Sequence, residues 1–138
     1  MKKVFCNNIV AKILLCMSTC YTITIGPFVL SKRSEERITP AIRNHEFIHV
    51  CQWREMTDVS LLIIFLFMLF ARISPWWIFS SVTTFYIWYG IEYLVRAMIC
   101  NDTDKAYKSV SFEQEAYENE DTPDYLEERK AFLWIKYL

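Results

Sequence analysis

Two histidines and a glutamate stand together in the run RNHEFIHVCQ, residues 43–52. His45 and His49 are four apart, and Glu46 directly follows the first. On a helix, side chains four apart share a face, so both imidazoles can turn a nitrogen toward one ion. Zinc held this way lowers the pKa of a coordinated water toward 7. A neighbouring carboxylate can take the proton while that water attacks a polarised carbonyl. This is the chemistry of the H-E-x-x-H pattern. The chain has no other histidine, and an arbitrary placement of two would seldom give this spacing with Glu second. The competing reading is an accidental pattern on a helix whose polar face carries two histidines.

A catalytic zinc wants three protein ligands and one open position. With no third histidine, the third ligand must be a carboxylate. The run FEQEAYENE, residues 112–120, offers Glu113, Glu115, Glu118 and Glu120. Glu113, Tyr117 and Glu120 share one helical face, while Glu115 and Glu118 lie on another. The competing reading is a solvated acidic face. Tyr117 has a phenol able to donate to an oxyanion, or is a packed ring. Gln52, one turn after His49, bonds a ligand or substrate, or lies on the surface.

NHEFIHVCQ followed, after a hydrophobic stretch, by FEQEAY resembles the gluzincin-type integral-membrane metallopeptidases. These include CAAX-processing and heat-shock zinc endopeptidases and the peptidase domains of beta-lactam sensors. The order PFVL, NHEFIHVCQWRE, FYIWYGIEYLVR, FEQEAYENE also resembles small bacterial membrane proteins that carry no known substrate. The resemblance implies a zincin-like helical site in which Glu113, first residue of the E-x-E-A run, joins His45 and His49 as zinc ligand. Tyr117 stands where that family commonly has a second-shell Asp, a departure that bears on how the ligands are oriented.

The elements that must position these residues can be read from patterning. The chain has 138 residues, 54% of them hydrophobic and 17% aromatic, with two glycines and a net charge of −1. One domain spanning 1–138 is the default, disorder is excluded for most of it, and no electrostatic pull toward nucleic acid arises. Five cysteines, an odd number with no C-x-x-C pair, argue against a disulfide framework and for a reducing compartment. The expected class is mainly α, with a short N-terminal strand pair. CYTITIGPFVLSK, residues 20–32, reads as two short strands, or one broken at Gly26-Pro27, and as an edge for an extended substrate. Thr39-Pro40 marks the start of the histidine helix. Ser111 to Gln114 has capping-box spacing, and Thr122-Pro123 marks the start of a last helix reaching Leu138.

Between Val59 and Ile91 the only charge is Arg72. Two apolar runs, 57–74 and 73–91, predict a transmembrane helical hairpin over 57–95. Pro75 marks the break between them. Trp76 and Trp77 suit one interface, and Tyr86, Trp88, Tyr89 and Tyr93 the other. A buried helix pair, or a hairpin that dips in without crossing, is the competing reading. The segment 1–20 has a basic start but no cleavage site. It is read as an interfacial amphipathic helix or a short helix leading into strands, not a secretory signal. A double crossing returns residue 113 to the side of residue 45, as one site requires. Fourteen of fifteen Lys and Arg lie outside the hairpin, which places that side in the cytoplasm, at a bacterial inner membrane. The expected protein is a membrane-bound zinc metallopeptidase. Its cofactor is Zn²⁺, its general base Glu46, and its partners a lipid bilayer and a peptide or protein substrate. The alternative is a non-catalytic metal-binding or structural membrane protein.

Overall fold

The computed structural model describes residues 3–16 and 20–138; Met1, Lys2 and residues 17–19, part of the segment read above as an N-terminal helix, lie outside it. The chain is mainly helical with a small three-stranded sheet. It divides into two compact units, 1–51 with 115–130 and 52–114 with 131–138.

In the first unit β2 (Thr22–Ile25) and β3 (Phe28–Ser31) form the expected hairpin, with Ile25 opposite Phe28. Gly26 makes the turn possible at φ 58°, a left-handed conformation that costs glycine nothing. A third strand, β1 (Val4–Phe5), pairs parallel with β3, giving the order β1-β3-β2. Two residues are too few to show alternation, so sequence patterning missed it. Helix α1 (Ile9–Leu14) follows, its first turn capped by Asn8 Oδ1, which accepts from Val10 and Ala11 N–H. Helix α2 (Pro40–Ala71) starts where Thr39-Pro40 predicts it, and Ile42 N–H donates to Thr39 Oγ1 at 3.2 Å. Val29, Ile38, Phe47, Ile48 and Ala116 are among the apolar residues buried in this unit.

The second unit holds the remainder of α2, a 3-10 helix (Pro75–Thr83), α3 (Thr84–Cys100), α4 (Thr103–Lys108) and a 3-10 helix (Leu133–Tyr137). The start of α5 (Ser111–Asn119) also lies here. Phe85, Val110, Phe112 and Trp134 form its core, with Tyr89 and Tyr93 packed against them. The Phe112 ring lies 4.7 Å from Phe85 and 4.6 Å from Trp134. Two polar contacts fix α5. Gln52 is fully buried and its Nε2 donates to the Phe112 carbonyl at 3.0 Å, so it is not a surface residue. The Glu92 carboxylate accepts from Ser111 N–H at 2.8 Å and from its hydroxyl at 2.7 Å. The helix start predicted from local capping spacing is thus held by a remote carboxylate, while Gln114 Nε2 donates to Ser109 O.

The hairpin expectation needs correction. Among the described residues no helix is long and apolar enough to cross a membrane. The apolar end of α2, Val59 to Ala71, has 13 residues, a length of about 20 Å at 1.5 Å per residue, against a hydrocarbon core of about 30 Å. The second run is not one helix: it is 3-10 over Pro75–Thr83 and α-helical only from Thr84. Arg72, at φ 53°, ends α2 before Pro75 is reached. Trp76, Trp77, Tyr86 and Trp88 are exposed as an interfacial belt requires, but Tyr89 and Tyr93 are drawn into the core. The last helix is also shorter than predicted. Helix α6 covers only Tyr125–Glu128, and Asp124, not Thr122, is its cap.

Candidate metal centre

Helix α2 carries His45, Glu46 and His49; helix α5 carries Glu113 and Tyr117. The one-turn separation brings His45 Nε2 and His49 Nε2 to 3.2 Å, with ring planes at 81°. Two nitrogens each about 2.1 Å from a tetrahedral zinc stand roughly 3.4 Å apart, so this spacing suits a shared cation. His45 Nδ1 lies 2.8 Å from Glu120 Oε2. A carboxylate only accepts, which assigns the Nδ1 proton to His45 and leaves its Nε2 lone pair directed at His49.

His45, His49 and Glu113 each offer one ligand atom, and the three atoms lie within 4.8 Å of one another. Among the described residues this is the one group of three metal-ligating side chains. Two imidazoles and a carboxylate form a donor set that zinc accepts. The acidic helix is therefore not a simple solvated face: Glu113 is 2% exposed and Glu115 0%.

Glu46 is buried. Its Oε2 accepts from the Thr24 hydroxyl at 2.6 Å, and that hydroxyl also lies 3.2 Å from the Glu46 carbonyl. Thr24 sits on β2, whose one ladder partner among the described residues is β3. The edge strand thus sets the rotamer of the candidate base. The Tyr117 ring meets the His45 ring edge-on at 4.8 Å, and its side chain is exposed at 41%. Tyr117 therefore packs on His45 while keeping solvent access.

Five further residues support the elements that carry these side chains. Glu120 orients His45, the carboxylate–histidine arrangement that fixes the tautomer of metal ligands. Its signal was present in the sequence, since it shares the Glu113 and Tyr117 face, but a rival role as third ligand stood open. Asn44 Nδ2 lies 3.4, 3.3 and 3.0 Å from the carbonyls of Asn119, Glu120 and Thr122, holding the end of α5 to the start of α2. Arg129 binds the Glu115 carboxylate through Nε and Nη2, and Tyr125 donates to it at 2.9 Å. Tyr89 donates to Glu113 Oε1 at 2.9 Å. None of these partners is near in sequence, so no local motif announces them.

Replacing Glu120 with Gln keeps an acceptor and removes the charge; replacing it with Ala removes both. Zinc affinity is expected to fall about 10- to 100-fold in Glu120→Ala, the range found when carboxylate partners of ligand histidines are lost, and less in Glu120→Gln. Competition against a fluorescent zinc chelator measures this, and unchanged affinity in Glu120→Ala would show that the contact does not orient His45. In comparison with known proteins, no family model, curated protein or solved structure matches the chain.

Proposed function

We propose that the protein is a membrane-bound zinc metallopeptidase of the gluzincin type, hydrolysing peptide bonds. The observation that carries this reading is the convergence of His45, His49 and Glu113, with their ligand atoms within 4.8 Å, next to the buried carboxylate of Glu46. Zn²⁺ held by these three residues supplies Lewis acidity, which acidifies water and polarises a carbonyl. The chain supplies the rest. Glu46 takes one proton from the attacking water as the carbon–oxygen bond forms. It passes that proton to the amine nitrogen as the carbon–nitrogen bond breaks. Thr24 holds Glu46 Oε2, fixing the carboxylate for this transfer. Tyr117, exposed and packed on His45, donates to the developing oxyanion. An extended peptide adds to the open edge of β2, which brings its backbone alongside Thr24 and Glu46.

The lipid bilayer is the second partner in this reading. Leu62, Phe65, Phe67, Leu69 and Phe70 on α2 expose 53–84% of their surface. Trp76, Phe79, Met98 and Ile99 are exposed to a similar degree. Apolar surface of this extent marks an interaction face. Segments 57–95 dip into lipid as a hairpin that does not cross it, since no described helix is long and apolar enough to span a membrane. The Lys and Arg residues outside them keep the remaining chain on the cytoplasmic side of a bacterial inner membrane. The functional reading is tested by measuring zinc content and peptide cleavage for wild type and Glu46→Gln side by side in detergent. A peptidase keeps zinc and loses cleavage. A wild type that binds zinc and cleaves no peptide in lipid or detergent would point to a metal-binding membrane protein instead.

A further inference from the structure

Glu113 is buried, so its charge is stabilised by the groups around it and not by bulk water. Its Oε1 accepts from the Tyr89 phenol at 2.9 Å. The Tyr89 ring cannot move freely. It stacks on Phe112 with planes at 11° and packs on Phe85 at 6.1 Å between centroids. Tyr107 meets it at 6.5 Å. The donor is therefore fixed by the aromatic core before any cation arrives.

We propose that Tyr89 is a positioning residue that makes Glu113 a one-oxygen ligand: the phenol engages Oε1 and turns Oε2 toward the cation held by His45 and His49. The inference rests on the zinc reading above and adds a residue from α3, in the apolar part of the chain, to its support. A carboxylate chelating through both oxygens would occupy two positions, whereas hydrolysis needs one left open. Tyr89 thus preserves the open position.

The test uses the full chain in detergent, with Co²⁺ as spectroscopic probe and Zn²⁺ for affinity. Tyr89→Phe keeps the ring and removes one oxygen. It is expected to weaken zinc about 10- to 100-fold and to shift the visible cobalt bands, while Tyr86→Phe, exposed on the same helix, changes neither. In a Glu113→Gln background, Tyr89→Phe is expected to add no further loss. Should Tyr89→Phe not fold, Tyr89→Leu and Tyr89→His give the same readout, the latter retaining a donor and part of the affinity. A wild type that binds no metal overturns the zinc reading and this inference with it. A wild type whose binding depends on Glu113, with unchanged affinity and cobalt bands in Tyr89→Phe, overturns this inference alone.

Discussion

Glu46→Gln is expected to retain one zinc per chain and to lower kcat by about 10²- to 10⁴-fold, the span typical of a general acid–base group. The substitution is nearly isosteric. Thr24 can still donate to the remaining carbonyl oxygen of the amide, so the 2.6 Å contact that Thr24 makes with Oε2 survives in kind. What is lost is the capacity to accept a proton from water and return it to the leaving amine. Because Glu46 is not among the ligating atoms, metal content should not change. Peptide cleavage with parallel metal analysis measures both quantities. Loss of zinc in Glu46→Gln would make Glu46 a structural or ligating residue, and full cleavage would remove it from the chemistry.

Arg129→Ala is expected to destabilise the fold by about 3–5 kcal/mol, the cost of leaving one member of a buried ion pair unpartnered. The Arg129 and Glu115 side chains are 4% and 0% exposed. The Tyr125 hydroxyl completes the set around Glu115. Against a total stability of about 5–15 kcal/mol for a typical domain, this loss is severe. Replacing the pair together, as Glu115→Leu with Arg129→Met, is expected to recover most of it, because no charge is then buried alone. Chemical unfolding followed by circular dichroism separates the cases. A single variant as stable as wild type would mean that water reaches Glu115.

These residues also show what the sequence reveals and what it leaves hidden. The histidine helix was legible because its signals are local: a Thr-Pro start, and spacing that puts two imidazoles on one face. The β2–β3 hairpin was legible for the same reason, from β-branched residues on either side of Gly26-Pro27. The buried pair of Glu115 and Arg129 was not, since a helix with four glutamates looks solvated until a distant guanidinium is placed against it. The orientation of His45 by Glu120 likewise depends on contact across 75 positions of chain. The hairpin reading failed at the level of length. Hydropathy counts apolar residues along the chain, but it does not register that Arg72 turns left-handed and that Pro75–Thr83 winds as 3-10 helix. Tyr89 was misplaced for a related reason. An aromatic residue near the end of an apolar run suits an interface and a core equally, and only tertiary packing decides.

The claim on which the rest depends is that His45, His49 and Glu113 hold one cation together. Metal analysis of the full chain purified in detergent tests it directly, comparing wild type with Glu113→Ala. The expected result is one zinc per wild-type chain and little or none in the variant, with both proteins folded. Wild type without stoichiometric zinc, or Glu113→Ala with undiminished zinc, would contradict it.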